Sequence, residues 1–401
     1  MDLMKIVKGS VTAPEGFLAS GVKSGIKKKK LDLALIYSNV PARAAGVFTK
    51  NTVKAAPVIL SAGNLKDGRA QAIIANSGNA NCLNGKNGMK WAVRMAEAVS
   101  ANTWIGAQDV LVASTGIIGK PLAVEKIEAS VPALVKGLCK EGELSAAKAI
   151  MTTDLIPKRI AVAVKIGGKT VKIGGIAKGS GMICPNMATL LCFITTDADI
   201  DVKALKSSLK DAVEDSLNMV TVDGDMSTND AVFIMANGLA ANAKIKNGSK
   251  GHKIFCEALK YVMVYLAKEI AKDGEGASKF IEVQVKGAKS KADAKKMAKE
   301  IANSNLVKTA IAGEDPNTGR IASSAGASGV KLNESKLDIY LNGIKIVSGG
   351  NANFGLRPKA QKSLKKKEAA ITVDLNSGKH SATAWTCDLT EGYIKINARY
   401  N

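Results

Sequence analysis

Short apolar runs separated by glycine, asparagine and lysine fill the first hundred residues. LDLALIYS (31–38), AGVFTKN (45–51), APVILSAG (56–63) and AQAIIANSGNAN (70–81) have the length and the turn-residue borders of β-strands. The pattern then changes period. Trp91, Met95 and Val99 fall four apart, which predicts a helix over 89–100 with one face toward the core. DVLVASTGIIG (109–119) is a strand running into a glycine turn, and VEKIEASVPALVKGLC (124–139) is an amphipathic helix. RIAVAVKI (159–166) and TVKIGGIA (170–177) flank Gly167-Gly168-Lys169 and predict a hairpin.

KGSGMICPNMA (178–188) has glycines and a proline but no periodicity, and it ends at the apolar run TLLCFITTDA (189–198), a buried strand that begins with Thr189. Leu205, Leu209, Val213 and Leu217 again fall four apart and predict a helix. A long helix over 254–273 stops at Gly274, followed by a strand at 278–287 and a lysine-faced helix at 291–304. Short strands are expected around 336–348, 369–375 and 381–387, before a closing run YIKINARYN. Strands cluster, with helices between the clusters. This pattern predicts an α+β protein, a layered sandwich of helices and mainly antiparallel sheets. No repeat of 20 to 50 residues and no Pro/Ser-rich linker interrupts it.

Composition adds one anomaly. The 57 basic residues outnumber the 35 acidic ones, giving a formal charge of +22. Aromatics are only 4%, which leaves few stacking platforms, and no zinc-finger, RRM or KH signature occurs. The charge is therefore read as a lysine-rich solvated surface, not a nucleic-acid interface. Small anionic substrates gain from such a field. No run reaches the ~20 apolar residues of a membrane helix, and the start lacks an apolar signal core. Six scattered cysteines read as reduced thiols. A cytoplasmic protein without membrane or nucleic-acid partners is the expectation.

The missing motifs narrow the chemistry. There are two histidines, His252 and His380, and there is no H-E-x-x-H, no phosphate loop and no G-x-G-x-x-G after a strand. An enzyme with this sequence is expected to work without histidine, metal or bound cofactor, through Thr, Ser, Lys or an amine. The junction at 178–198 suits such chemistry. If the glycine-rich segment strains the Ala188–Thr189 peptide, the Thr189 hydroxyl can attack the Ala188 carbonyl. Hydrolysis of the resulting ester would leave Thr189 as a new N-terminus. Its α-amine, with an ordinary pKa of ~7.7 to 8.0, could then act as base for its own hydroxyl. The plainer reading is a glycine loop before a strand whose threonine is only a β-former.

KGSGMICPNMATLLCFITTDA (178–198) resembles the cleavage and nucleophile signature of the ornithine acetyltransferase family, the glutamate N-acetyltransferases of arginine biosynthesis. GVFTKN (46–51), IANSGNAN (74–81), ASTGIIG (113–119), MTTD (151–154), DGDMSTND (223–230), DGEGASK (273–279), GEDPNTGRI (313–321) and YIKINA (393–398) fit the family in order. The resemblance implies a fold related to the N-terminal-nucleophile hydrolases. It also implies self-cleavage into an α chain (1–188) and a β chain (189–401) that fold together as one core, commonly as an α2β2 heterotetramer. Both chains carry excess lysine and arginine, so a shared core rather than charge must hold them together. The implied reaction is ping-pong acetyl transfer from N2-acetylornithine to glutamate through an acetyl-threonine ester. Some members also take acetyl-CoA as donor.

The resemblance assigns Thr189 as nucleophile and Ala188–Thr189 as the cleavage site. It assigns Thr115 and Gly116 as the oxyanion hole, a hydroxyl and a backbone N–H. Thr152, Lys178, Thr189, Glu275 and Asn397 become substrate contacts; Thr153 rivals Thr152. Two departures stand out. The family usually has a Thr or Ser five residues after the asparagine matched by Asn397, and this sequence ends at Asn401. Thr318 stands where an aromatic, usually Trp, is common. The alternative activity is an N-terminal-nucleophile amidohydrolase or aminopeptidase, which would give the same acyl group to water.

Overall fold

A computed structural model describes residues 4–184 and 190–398. The nucleophile and cleavage assignments, Ala188 and Thr189, fall outside the described residues. The chain forms two compact units. The first holds described residues 4–179, 190–218 and 226–266; the second holds 180–184, 219–225 and 267–398.

The first unit is built on one sheet. Its strands are β1 (Met4–Ile6), β2 (Phe17–Val22), β3 (Leu33–Phe48), β4 (Arg69–Asn79), β5 (Val110–Ile117), β6 (Lys158–Ile166), β7 (Lys169–Lys178), β8 (Leu191–Thr196) and β9 (Ala231–Ala236). They run in the order β1-β6-β7-β8-β9-β3-β4-β5, with β2 added against β3. Only β8–β9 and β4–β5 are parallel; the other pairs are antiparallel. The expected β6–β7 hairpin is present in full register from Lys158↔Ala177 to Ile166↔Lys169. Two expected strands, 31–38 and 45–51, prove to be one long β3. It is irregular between Tyr37 and Ala42, and its two halves serve different neighbours: β2 with the first, β9 with the second.

Alternation along these strands buries both faces of the sheet. Ala34, Ile36, Ile73, Ala75, Leu111 and Ala113 join one core with Phe193 and Phe233 and with Ala146, Ala147 and Ile150 of α4 (Glu143–Ile150). Leu33, Leu35, Ala72, Ile74, Val110 and Val112 face the other way. They pack on Met95 and Val99 of α2 (Gly85–Ala101) and on Ile127, Val131 and Leu134 of α3 (Val124–Lys136). The observed class is thus α+β, with helices on both faces of a mainly antiparallel sheet. α1 (Ala56–Asn64) corrects the strand expected at 56–63. Pro57 opens its first turn, where the missing N–H costs nothing, and Val58 and Ser61 face inward at helical spacing. α5 (Val202–Glu214) and α6 (Lys250–Lys272) match the expected helices within a few residues.

The second unit has its own sheet, ordered β13-β12-β11-β14-β10-β15. The strands are β10 (Phe280–Ala288), β11 (Asp338–Leu341), β12 (Ile344–Ser348), β13 (Asn351–Ala352), β14 (Glu368–Asp374) and β15 (His380–Cys387). Only β10–β14 is parallel. α7 (Lys291–Asn303) lies on β10 and β15, and α8 (Asn305–Ala312), α9 (Thr318–Ala327) and α10 (Arg357–Ser363) follow it. The closing run is α11 (Glu391–Asn397), started by the Thr390 side chain accepting from the Gly392 N–H. No helix among the described residues is long and apolar enough to cross a membrane.

Candidate active site

In the first unit, the ends of β4, β5 and β7 carry the assigned groups. Thr115 and Gly116 lie near the end of β5, which pairs in parallel with β4. Gly116 has φ +131°, and a Cβ there would overlap the backbone of Gly78 and Asn79. Glycine is required twice over, by conformation and by space. Asn76 of IANSGNAN and Asn229 of DGDMSTND hold this corner. Asn76 donates to the Asn79 carbonyl (3.0 Å) and accepts from the Ser114 hydroxyl (2.6 Å); Asn229 donates to the carbonyls of Ala80 and Ser114. Buried amides with every partner met keep the strand ends from fraying.

Lys178 ends β7 and is 3% exposed. Its Nζ lies 3.5 Å from Thr115 Oγ1, the outer limit of a hydrogen bond. An ammonium can only donate, so the Thr115 hydroxyl keeps its own proton for another acceptor. Beside them is Asp154 of MTTD, fully buried with Lys158. Asp154 accepts from Lys158 Nζ (2.7 Å), the Gly179 N–H (2.7 Å) and the Thr152 N–H (3.0 Å). Burial alone would raise its carboxyl, but Lys178, Lys158 and these hydrogen bonds outweigh burial and hold it well below the usual carboxylate range. One carboxylate therefore ties the Thr152 loop to the exit of β7. Thr152 and Thr153 are both half-buried, but only the Thr152 N–H is held by Asp154.

Lys27 joins this cluster, although the sequence showed it only as the head of a lysine run. Its Nζ donates to the Met151 carbonyl (2.8 Å), while Asp32 accepts from its backbone N–H (2.8 Å). Burial, with the nearby Lys30 and Lys178 charges, lowers its ammonium to about 8 against the pull of Asp32 and Asp154. The strand ends thus present a hydroxyl, a glycine turn and cationic groups together, an arrangement that stabilises an anion.

In the second unit, Glu275 and Asn397 meet. Asn397 Nδ2 donates to Glu275 Oε2 at 2.7 Å. Glu275 is 7% exposed; its N–H donates to the Ser180 carbonyl (2.8 Å), and Ser180 Oγ donates to the Asp273 carbonyl (2.6 Å). A Cβ at Gly181 would meet the Glu275 carboxylate and push it aside. Asp223 accepts from the N–H groups of Met182 (2.5 Å) and Ile183 (2.8 Å). Gly179, Ser180, Met182 and Ile183 of the glycine-rich segment are therefore each held by a hydrogen bond, which the segment's lack of periodicity concealed.

Histidine chemistry has no footing at His252. Its Nδ1 accepts from the Gly248 N–H, so Nε2 carries the hydrogen toward Ser208 Oγ (2.9 Å), and Ser208 donates to the Ala204 carbonyl. The ring cannot serve as base for that hydroxyl. Among the described residues no group of His, Cys, Asp and Glu could hold a metal ion.

A threonine hydroxyl and a glycine turn at one strand end, with the buried Lys178 at the end of another beside them, form a candidate acyl-transfer site. The chain matches the ArgJ family model over residues 18–401 and belongs to that family. It is 48% identical over 400 residues to the arginine biosynthesis bifunctional protein ArgJ of Symbiobacterium thermophilum, covering 99% of this chain and 100% of that protein. It is 49% identical over 401 residues to the protein of the same name from Caldanaerobacter subterraneus, again covering 99% and 100%. The crystal structure of the argJ protein of Bacillus halodurans is similar with 42% identity and a TM-score of 0.50, over 51% of this chain and 97% of that one.

Proposed function

We propose that this acetyltransferase of arginine biosynthesis moves an acetyl group from N2-acetylornithine to glutamate, giving ornithine and N-acetylglutamate. The observation that carries the reading is the Thr115–Gly116 turn with Lys178 Nζ beside it, on the strand that leads into the cleavage motif. Full-length similarity to ArgJ proteins favours the transferase over an amidohydrolase.

The Thr189 hydroxyl attacks the acetyl carbonyl. The Thr115 hydroxyl and the Gly116 N–H take the developing oxyanion, and the Thr189 α-amine holds the proton and delivers it to departing ornithine. Glutamate then attacks the acetyl-threonine ester through the same states in reverse. Lys178 and Thr152 receive substrate carboxylates, and Glu275 with Asn397 receives substrate amino groups. The relatives' description as bifunctional supports a second donor, for which we propose acetyl-CoA. No cofactor enters this scheme.

The amine must first be released, so the chain is proposed to cut itself at Ala188–Thr189 into α (1–188) and β (189–401) chains, assembled as α2β2 in the cytoplasm. The solved Bacillus chain is matched almost whole by half of this one, the proportion a processed chain would have. Intact mass under denaturing conditions, with N-terminal sequencing, tests this. Two roughly half-size chains are expected, one beginning at Thr189, with acetyl transfer from acetylornithine to glutamate. Thr189→Ala is expected to stay whole and inactive. A Thr189→Ala protein that splits normally would remove Thr189 from its role.

A further inference from the structure

The proposed transfer gives Lys27 no task, yet the fold fixes this residue at both ends. Asp32, with no exposure, holds the turn that leads to it. Its Oδ1 accepts from the Ser24 N–H (2.5 Å), and its Oδ2 accepts from the N–H groups of Gly25 (3.1 Å) and Lys27 (2.8 Å). The Lys27 stem then crosses Gly78, where an added Cβ would stand 2.8 Å from Lys27 Cγ. Gly78 pairs with Gly116 in the β4–β5 ladder, so the stem runs across the strand end beside the proposed oxyanion turn. The ammonium ends at the Met151 carbonyl (2.8 Å), one residue before Thr152. That bond uses one of its three protons, and the acceptor is uncharged. Among the described residues Lys27 makes no ion pair. A half-buried ammonium with protons to spare suits an anion that arrives with a substrate.

The two amino acids that trade the acetyl group differ in charge along the side chain. N2-acetylornithine carries one carboxylate and a side-chain ammonium; glutamate carries two carboxylates and no side-chain amine. Lys178 and Thr152 serve the carboxylate that both share. The side-chain carboxylate of glutamate calls for a second cation, which a carboxylate such as Glu275 cannot supply. We propose that Lys27 is that cation: its ammonium receives the side-chain carboxylate of the acceptor glutamate, so that the acceptor is read by its charge. The proposal rests on the reading of the chain as an acetylornithine–glutamate acetyltransferase. Burial, with Lys30 and Lys178 nearby, lowers the Lys27 ammonium to about 8 against the pull of Asp32 and Asp154. The charge that glutamate needs is therefore present below that pH and lost as pH rises through it.

The test compares two acceptors with the purified protein: glutamate, and isotopically labelled ornithine, which takes the acetyl group from acetylornithine by exchange. Lys27→Met keeps an unbranched stem on Gly78 and removes the charge; Lys27→Arg keeps the charge. Lys27→Met is expected to raise KM for glutamate about 10- to 100-fold, the loss of one charge-assisted hydrogen bond, and to slow ornithine exchange by no more than about threefold. In the wild type, KM for glutamate should climb above about pH 8, and Lys27→Arg should move that climb to higher pH, the glutamate amine being the same in both. A glutamate KM that Lys27→Met leaves unchanged overturns the proposal, as does a Lys27→Arg pH profile identical with the wild type. Equal losses with both acceptors in Lys27→Met also overturn it and mark a role in holding the Thr152 loop. A wild type that transfers no acetyl group to either acceptor sinks the transferase reading itself, a pattern distinct from an active wild type beside an unaltered Lys27→Met.

Discussion

The two sets of assigned residues are held in different ways. Thr115, Gly116 and Lys178 sit at strand ends of a sheet buried on both faces, and Asp154 and Lys158 neutralise each other with no side-chain exposure. Glu275 and Asn397 are joined by one hydrogen bond between a helix-stop turn and a seven-residue C-terminal helix without a buried residue. Groups that must face a developing charge gain most from rigidity, because reorganisation during the reaction is what costs rate. Groups that receive and release substrates tolerate a looser mount. The contrast is what the proposed roles of Thr115 and Gly116 on one side and of Glu275 and Asn397 on the other would call for.

The largest expected effect tests the rigidity of the first set. Asp154→Ala removes the carboxylate paired with buried Lys158 and the acceptor of the Thr152 and Gly179 N–H groups, so stability should drop by about 3–5 kcal/mol in denaturant unfolding. Because the Asp154 carboxyl is depressed in the folded state, its contribution is full above the ordinary carboxyl pKa of about 3.9 and fades as pH falls below it. The variant should lose that acid-dependent component. A variant as stable as the wild type would erase the contrast.

Next, Thr115→Ala should lower kcat by about 100- to 1,000-fold with little change in KM, the mark of a group that acts in the transition state. An unchanged kcat rejects the oxyanion assignment. The smallest effect belongs to the second set. Asn397→Ala should raise KM for acetylornithine about tenfold, roughly 1.4 kcal/mol, without moving the thermal midpoint. A fall in kcat with constant KM would place Asn397 with the chemistry instead.

What the sequence revealed follows from what periodicity can encode. The β6–β7 hairpin and α2, α3, α5, α6 and α7 were legible because each buries one face at a fixed period. α1 was misread because an apolar run of eight residues suits either element, and Pro57 marks a helix start only once the context is known. β9, α4, α8, α9 and α10 went unread, being short and bounded by residues equally at home in loops. The closing run had no element assigned and is α11. At the site, the motifs of Thr115, Lys178 and Glu275 stood out, yet their partners did not. Asp154 and Lys158 are charged residues in buried places, and a polar letter carries no sign of burial. Lys27 was hidden in a lysine run whose next three members are exposed.

The strand order has a consequence for the lifetime of a cut molecule. β8 and β9, which follow residue 189, lie side by side between β7 and β3, which precede it, and both junctions are hydrogen-bonded ladders. A severed chain could not shed either piece by undocking a surface; it would have to unzip the middle of its sheet. Pieces made in one molecule should therefore not exchange with those of another on any timescale shorter than global unfolding. Mixing isotopically heavy and light preparations should leave the pairs unscrambled.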